Sequence, residues 1–213
     1  VMGLAAYGEP VYLKELEKLI QNKNLNEFAL NLNYFEFNDY FHRKTFSKEL
    51  EELILLKPLK DISKLTKEYK DLAASIQALL EKIVIGFVED IQKKYSQSKN
   101  LCLGGGVALN SVCNMKISKL GIFEDIYIPS SPGDAGSAIG CAYLGLVNNN
   151  QEVNSSYQPY LGREVKKSKS DYEKFGSVGT VSLDTVAKLL HEGNIVGVVS
   201  GRSEFGPRAL GNR

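Results

Sequence analysis

Residues 100–110, NLCLGGGVALN, and residues 125–142, DIYIPSSPGDAGSAIGCA, decide how the chain reads. In the first, a short apolar run at 100–103 meets three glycines at 104–106, and a helical pattern follows from about 108 to 120. The second repeats this order: a strand at 125–130, the turn SPGDAG at 131–136, then a helix of small residues to about 147. Strand, glycine turn and helix, met twice within one short stretch, is the sequence form of an α/β nucleotide-handling domain.

Upstream, residues 67–95 carry Tyr69, Leu72, Ala73, Ile76, Leu79, Leu80, Ile83, Val84, Phe87, Val88, Ile91 and Tyr95 at helical spacing. They predict one long amphipathic helix, with Thr66 as its N-cap and Gly86 marking a close packing contact. Before it, VMGLAAYGEP (1–10) reads as loop, YLKELEKLIQ (12–21) as helix, residues 27–41 as short antiparallel strands, and residues 47–57 as a small helix ending before Pro58. Downstream, NNNQEVNSSYQPY (148–160) is polar and aperiodic and reads as a linker. Ser182 caps a further helix, and NIVGVVS (194–200) reads as a buried strand running into GRSEFGPRALGNR (201–213).

The 213 residues carry 26 Lys plus Arg against 25 Asp plus Glu, a net charge of +1. That balance excludes binding of nucleic acid by bulk counterion release, and an acidic disordered tail. No apolar run reaches the ~18 residues of a membrane span, and no signal peptide opens the chain. Cys102, Cys113 and Cys141 show no C-x-x-C spacing, so they predict neither a disulfide framework nor a zinc site; Cys102 and Cys141 read as core. A cytoplasmic location is expected. The glycine-rich phrases at Val1 and Arg213 read as an excerpt of a longer protein.

Three constellations are candidates for chemistry. Gly104, Gly105 and Gly106 can take positive φ, let a ligand approach the backbone and, with the following helix N-terminus and Asn110, hold an anion; they equally suit a tight turn shaped for packing. Asp134 can ligate a hard cation or simply cap a helix. Arg202, Arg208 and Arg213 sit among three glycines, where guanidinium forks suit phosphate or carboxylate, or are solvated in a turn. His42 and His191 have no metal-ligand spacing and read as structural, and KKSKS (166–170) reads as solvated loop.

VMGLAAYG, LCLGGGVALNSVCN, IPSSPGDAGSAIGCA and GRSEFGPRALGNR, in that order, resemble the NodU/CmcH family of O-carbamoyltransferases, as do LAASIQALLE in the long helix and PYLGRE at 159–164. EFGPRALGNR is the most specific of these; the glycine-rich motifs are shared with wider relatives. The resemblance implies an α/β chain: an actin/sugar-kinase-like ATPase-fold half domain at 1–150, a linker at 151–162, and the beginning of a YrdC-like α/β domain at 163–213. It implies that carbamoyl phosphate and ATP form a carbamoyl-adenylate, whose carbamoyl group passes to a hydroxyl of a natural-product, glycan or signal-molecule acceptor. Gly104, Gly105, Gly106 and Asn110 match the nucleotide-contacting loop. Asp134 matches a ligand of a divalent metal, iron in the family, with Mg a further candidate. Arg208 matches the element that meets carbamoyl phosphate or the triphosphate.

Two departures are visible: Gly104 and Met115 stand where the resemblance leads one to expect Ala and Gly. The family's metal-binding histidines belong upstream of VMGLAAYG, and neither His42 nor His191 replaces them. No general base is apparent. The partners implied are carbamoyl phosphate, ATP and a small hydroxylated acceptor, with no nucleic acid and no membrane. A tRNA threonylcarbamoylation-related enzyme and a non-catalytic actin-like nucleotide-binding module are the alternative readings.

Overall fold

The computed structural model describes residues 1–22, 24, 27–37, 45–153, 158–164, 181–197 and 201–208. His42, residues 154–157 of the polar linker, the lysine-rich stretch 166–170, residues 198–200 and residues 209–213, which include Arg213, lie outside the described residues. The described residues form a mixed α/β structure that is mostly helical, with two small sheets of two strands each. The chain falls into two compact units, Val1–Cys102 with Asn110–Tyr127, and Leu103–Leu109 with Ile128–Arg213.

The first unit is built along one helix. In chain order it holds α1 (Met2–Ala5), α2 (Leu13–Leu16), β1 (Ile20–Asn22), β2 (Ala29–Leu30), α3 (Lys48–Ile54), α4 (Lys67–Lys94), β3 (Asn100–Cys102), α5 (Ser111–Lys119) and β4 (Asp125–Tyr127). The periodicity over 67–95 is realised as α4, against which α1, α2 and α5 pack, burying Ala73, Ala74, Leu79 and Val88. Thr66 stands at its N-cap, but the hydroxyl donates to the Glu68 carboxylate rather than accepting from the backbone. Gly86 marks no close packing, since a Cβ there would meet nothing within 4 Å.

The helix expected over 12–21 is shorter than its pattern. After α2 the chain tightens into a 3₁₀ turn, Glu17–Leu19, and extends into β1, where Ile20 pairs with Leu30 in antiparallel register. Of the residues expected as antiparallel strands, the described ones give β2, a 3₁₀ turn, Leu32–Tyr34, and an antiparallel bridge from Phe35 to Phe46, while 38–41 lie outside the described residues. Ser47 caps α3, accepting from Leu50 N–H and donating to the Asn33 carbonyl at 2.8 Å, and Leu55 ends the helix in the left-handed region at φ 55°. α2, the β1–β2 pair, α3 and one side of α4 surround an apolar hollow of about 690 Å³, with Leu16, Phe28, Phe35, Phe46, Ile76 and Leu80 in its wall.

The segment 1–10 is not all loop: Met2–Ala5 is a helical turn. Polar groups on α4 tie down the residues between α1 and α2. Glu9 N–H donates to Asp71 Oδ1 at 2.8 Å and Tyr12 N–H donates to Ser75 Oγ at 3.0 Å, while Ser75 donates to the Asp71 carbonyl at 2.6 Å. The Lys67 ammonium, 2.6 Å from Asp71 Oδ2, together with the Glu9 N–H, holds the Asp71 carboxyl below the usual carboxylate range. The unfolded chain therefore binds a proton at a higher pH than the folded one. The stabilisation is present above the ordinary Asp value and is lost as pH falls through the lowered one. Asp71→Asn removes that titration. In unfolding of the full-length protein, the stability difference between native and D71N should narrow as pH falls from about 6 to about 3. A difference that widened over this range would contradict the assignment.

β3 and β4 are parallel, with Asn100 opposite Asp125, Leu101 opposite Ile126 and Cys102 opposite Tyr127. A parallel pair needs a crossover, and α5 provides it. Asn110 caps α5, and Cys113 and Ile117, one turn apart on it, are each 1% exposed.

The second unit contains the glycine loop after β3, a 3₁₀ turn at Asp134–Gly136, α6 (Ser137–Asn148) and α7 (Leu183–His191). Ser182 caps α7, its hydroxyl accepting from Thr185 N–H at 3.2 Å, and His191 is the last helical residue. Two expectations fail here. Of the strand expected at 194–200, the described residues 194–197 are not in a strand and Ile195 is fully exposed, while 198–200 lie outside the described residues. Cys102 and Cys141 are exposed rather than core; Cys113 is the buried thiol, and burial pushes it up from the ordinary cysteine value. Among the described residues, no helix is long and apolar enough to cross a membrane.

Candidate functional site

The wall of the apolar hollow of the first unit is almost entirely carbon. Polar chemistry gathers instead on the loops of the second unit. Gly105 adopts φ +89°, which glycine takes without the Cβ penalty, and its N–H donates to the Pro132 carbonyl at 2.7 Å. A Cβ on Gly133 would lie 3.8 Å from Gly106 Cα, so the GGG loop and the SPGD turn lie against each other. Gly104, Gly105 and Gly106 are exposed, and the space above each is open where a Cβ would stand. The loop then tightens into a 3₁₀ turn, Gly106–Leu109, with Ala108 buried.

Asp134 opens its own 3₁₀ turn and is exposed. It does not act as a cap: Gly133 and Gly136 hold the N-cap positions of that turn and of α6, neither with a side-chain hydrogen bond. Among the described residues its carboxylate has no hydrogen-bond or ion-pair partner. Nor do any three His, Cys, Asp or Glu side chains among them come together as a metal site.

The arginine-rich segment is anchored to two other loops of this unit. Residues 202–205 run beside 159–164: Gly162 N–H donates to the Ser203 carbonyl, Ser203 N–H to the Arg163 carbonyl, both at 2.8 Å, and Phe205 N–H to the Pro159 carbonyl at 2.6 Å. Gly206, at φ +123°, has its Cα so close to the turn that a Cβ would sit 2.3 Å from the Ser130 carbonyl oxygen. Arg202 is structural: its Nε and Nη2 donate to the carbonyls of Gly162 and Leu161 at 2.9 and 3.1 Å. Arg208, two residues past the Gly206 contact, is exposed.

The second unit thus brings together the turns that carry Gly104, Gly105, Gly106 and Asp134, and anchors the segment that carries Arg208. Asn110 belongs to the first unit, where its side chain is engaged: Oδ1 accepts from Cys113 N–H at 3.1 Å and from Gln77 Nε2 at 3.1 Å, and Nδ2 donates to Gln77 Oε1 at 2.8 Å. Sequence reasoning missed the buried polar side of α4, where Asp71, Ser75, Gln77 and Glu81 are each no more than 6% exposed. The signal was present, since 71 and 75, and 77 and 81, lie one turn apart beside the small residues Ala73 and Ala74.

Residues 1–143 match a family model described as the carbamoyltransferase N-terminus, and residues 187–213 match one described as the carbamoyltransferase C-terminus. An uncharacterized protein of Synechocystis is 35% identical over all of the chain and 37% of its own length. The nodulation protein NolNO of Sinorhizobium fredii is 33% identical over all of the chain and 31% of its own length. Nodulation protein U of Azorhizobium caulinodans is 35% identical over 67% of the chain and 26% of its own length. The chain therefore spans roughly a third, or less, of the curated relatives it matches.

Proposed function

This chain belongs to the carbamoyltransferase family, and on that premise we propose that it is part of an O-carbamoyltransferase that uses carbamoyl phosphate and ATP. The observation that carries the reading is the approach of the GGG loop to the turn of Asp134, within a chain matched by both carbamoyltransferase models in order. In the proposed sequence, water cleaves carbamoyl phosphate to carbamate and phosphate; a carbamate oxygen then bonds to the α-phosphorus of ATP as the bond from that phosphorus to the pyrophosphate oxygen breaks, giving carbamoyl-adenylate and pyrophosphate. A hydroxyl oxygen of the acceptor then bonds to the carbamoyl carbon, the bond from that carbon to the adenylate oxygen breaks, and AMP and the hydroxyl proton depart.

The chain's own groups fit parts of this work. Of the glycine loop, Gly105 N–H is committed to the Pro132 carbonyl, while the exposed Gly104 and Gly106 offer backbone N–H groups that suit phosphate oxygens and require no reorganisation when charge develops. The Arg208 guanidinium suits carbamoyl phosphate or the triphosphate bidentately. Asn110 would contact the nucleotide through its amide. A divalent metal, iron by the family resemblance, would accept the uncommitted Asp134 carboxylate as one ligand and would supply Lewis acidity to the carbamoyl carbonyl. A single carboxylate is not a metal site, so its other ligands would come from beyond the described residues.

The test is an assay of the full-length protein with ATP, carbamoyl phosphate and a panel of hydroxylated acceptors. Pyrophosphate release that depends on carbamoyl phosphate, with labelled carbamoyl recovered on an acceptor hydroxyl, is expected. No pyrophosphate release, or release indifferent to carbamoyl phosphate, would overturn the proposal.

A further inference from the structure

Asn110 is held by a chain of buried polar groups whose direction is determined. Glu81, 5% exposed, ion-pairs through Oε2 with the Lys116 ammonium of α5, and its Oε1 accepts from Gln77 Nε2 at 2.8 Å. A carboxylate only accepts, so the NH₂ end of the Gln77 amide must face Glu81. That leaves Gln77 Oε1 to accept from Asn110 Nδ2 at 2.8 Å, while Gln77 Nε2 also reaches Asn110 Oδ1 at 3.1 Å. The two amides pair face to face. Asn110 Oδ1 accepts in addition from Cys113 N–H, the backbone donor that an N-cap serves. Both acceptor positions of Oδ1 are thus taken, as is one of the two Nδ2 hydrogens. The second hydrogen has no partner among the described residues.

We propose that Gln77 is a positioning residue for nucleotide binding: paired amide to amide with Asn110, it fixes that side chain with one Nδ2 hydrogen presented to an acceptor atom of the nucleotide. This rests on the reading of Asn110 as a nucleotide contact. Glu81 and Lys116 set the orientation of Gln77, which agrees with the Cys113 N–H cap in leaving Asn110 a donor rather than an oxygen to offer. Without Gln77 the Asn110 side chain keeps only its cap to Cys113 N–H and can swing about it, so the Nδ2 donor is less often aimed at the nucleotide acceptor. The cost is in binding, not in the chemical step.

The experiment measures the Kd for ATP, kcat and melting temperature of the full-length protein. Gln77→Met should weaken ATP binding about tenfold, the scale of one lost hydrogen bond, with kcat within about twofold. Glu81→Gln keeps an oxygen for Gln77 Nε2 and should retain near-native affinity. Gln77→Met combined with Glu81→Leu removes both buried polar partners, so it should recover the melting temperature while ATP binding stays weakened. That double variant decides the matter if the single one folds poorly. Native affinity in a folded double variant, with Asn110→Ala weakened, would overturn the role of Gln77 alone. Native affinity in Asn110→Ala, or no ATP binding by the native protein, would overturn the nucleotide reading and this proposal with it.

Discussion

Asp134→Ala in the full-length protein should lower carbamoyl transfer by at least about 100-fold, a scale on which partners of a metal site matter, yet leave the melting behaviour almost unchanged. The stability half of this expectation follows from geometry. Asp134 is exposed, it caps neither its own turn nor α6, and it has no polar partner among the described residues. Surface substitutions of that kind cost within about 0.5 kcal/mol. The activity half follows from the proposed function, in which the Asp134 carboxylate, on the turn that lies against the glycine loop, is a ligand of the metal. Asp134→Asn keeps an oxygen but loses the charge, so it should fall between the two. Full transfer activity in the folded alanine variant would remove Asp134 from the site, and a large drop in melting temperature would show a structural role instead.

Ile117→Ala should do the reverse, damaging the fold first and activity only through it. Ile117 is 1% exposed on α5, which packs against α4. Emptying such a position costs about 2–5 kcal/mol, against about 0.5–1.5 for Ile117→Val. Domain stabilities are about 5–15 kcal/mol, so the alanine variant should lose a large share of its unit's stability. Thermal unfolding of the full-length variants checks this, and activity per folded molecule should stay close to native. A loss no greater for alanine than for valine would mean that α5 is not seated on α4 through this side chain. The contrast separates two kinds of residue that stand on either side of β4 in the chain.

Much of the fold was legible where a local pattern and its tertiary use agree. α4 was readable almost to the residue because an amphipathic stripe sustained over its 28 residues has no competing interpretation. The Ser182 cap and the strands that become β3 and β4 were readable for the same reason, each a short rule obeyed locally, whereas the caps Ser47 and Asn110 were not read as caps. The pattern at 12–21 misled because helical periodicity competes with pairing: Ile20 joins Leu30, and the chain must leave the helix to do so. Cys102 and Cys141 misled because an apolar context in sequence does not say which side of a strand or helix is covered.

For the candidate site the division is similar. Sequence alone determined the residue types and their order: glycines at 104–106, Asp134 after a second glycine turn, Arg208 between Gly206 and Gly211. Those follow from backbone freedom and charge, which belong to each residue wherever it stands. Only the tertiary structure decided their use. It laid the GGG loop on the SPGD turn, committed Arg202 to the carbonyls of Leu161 and Gly162, and left Asp134 uncommitted among the described residues. It also joined Asn110 to Gln77 across 33 positions of sequence. A hydrogen bond needs two groups within about 3 Å, and which groups meet at that distance is set by the packing of α5 on α4, not by anything local to either residue.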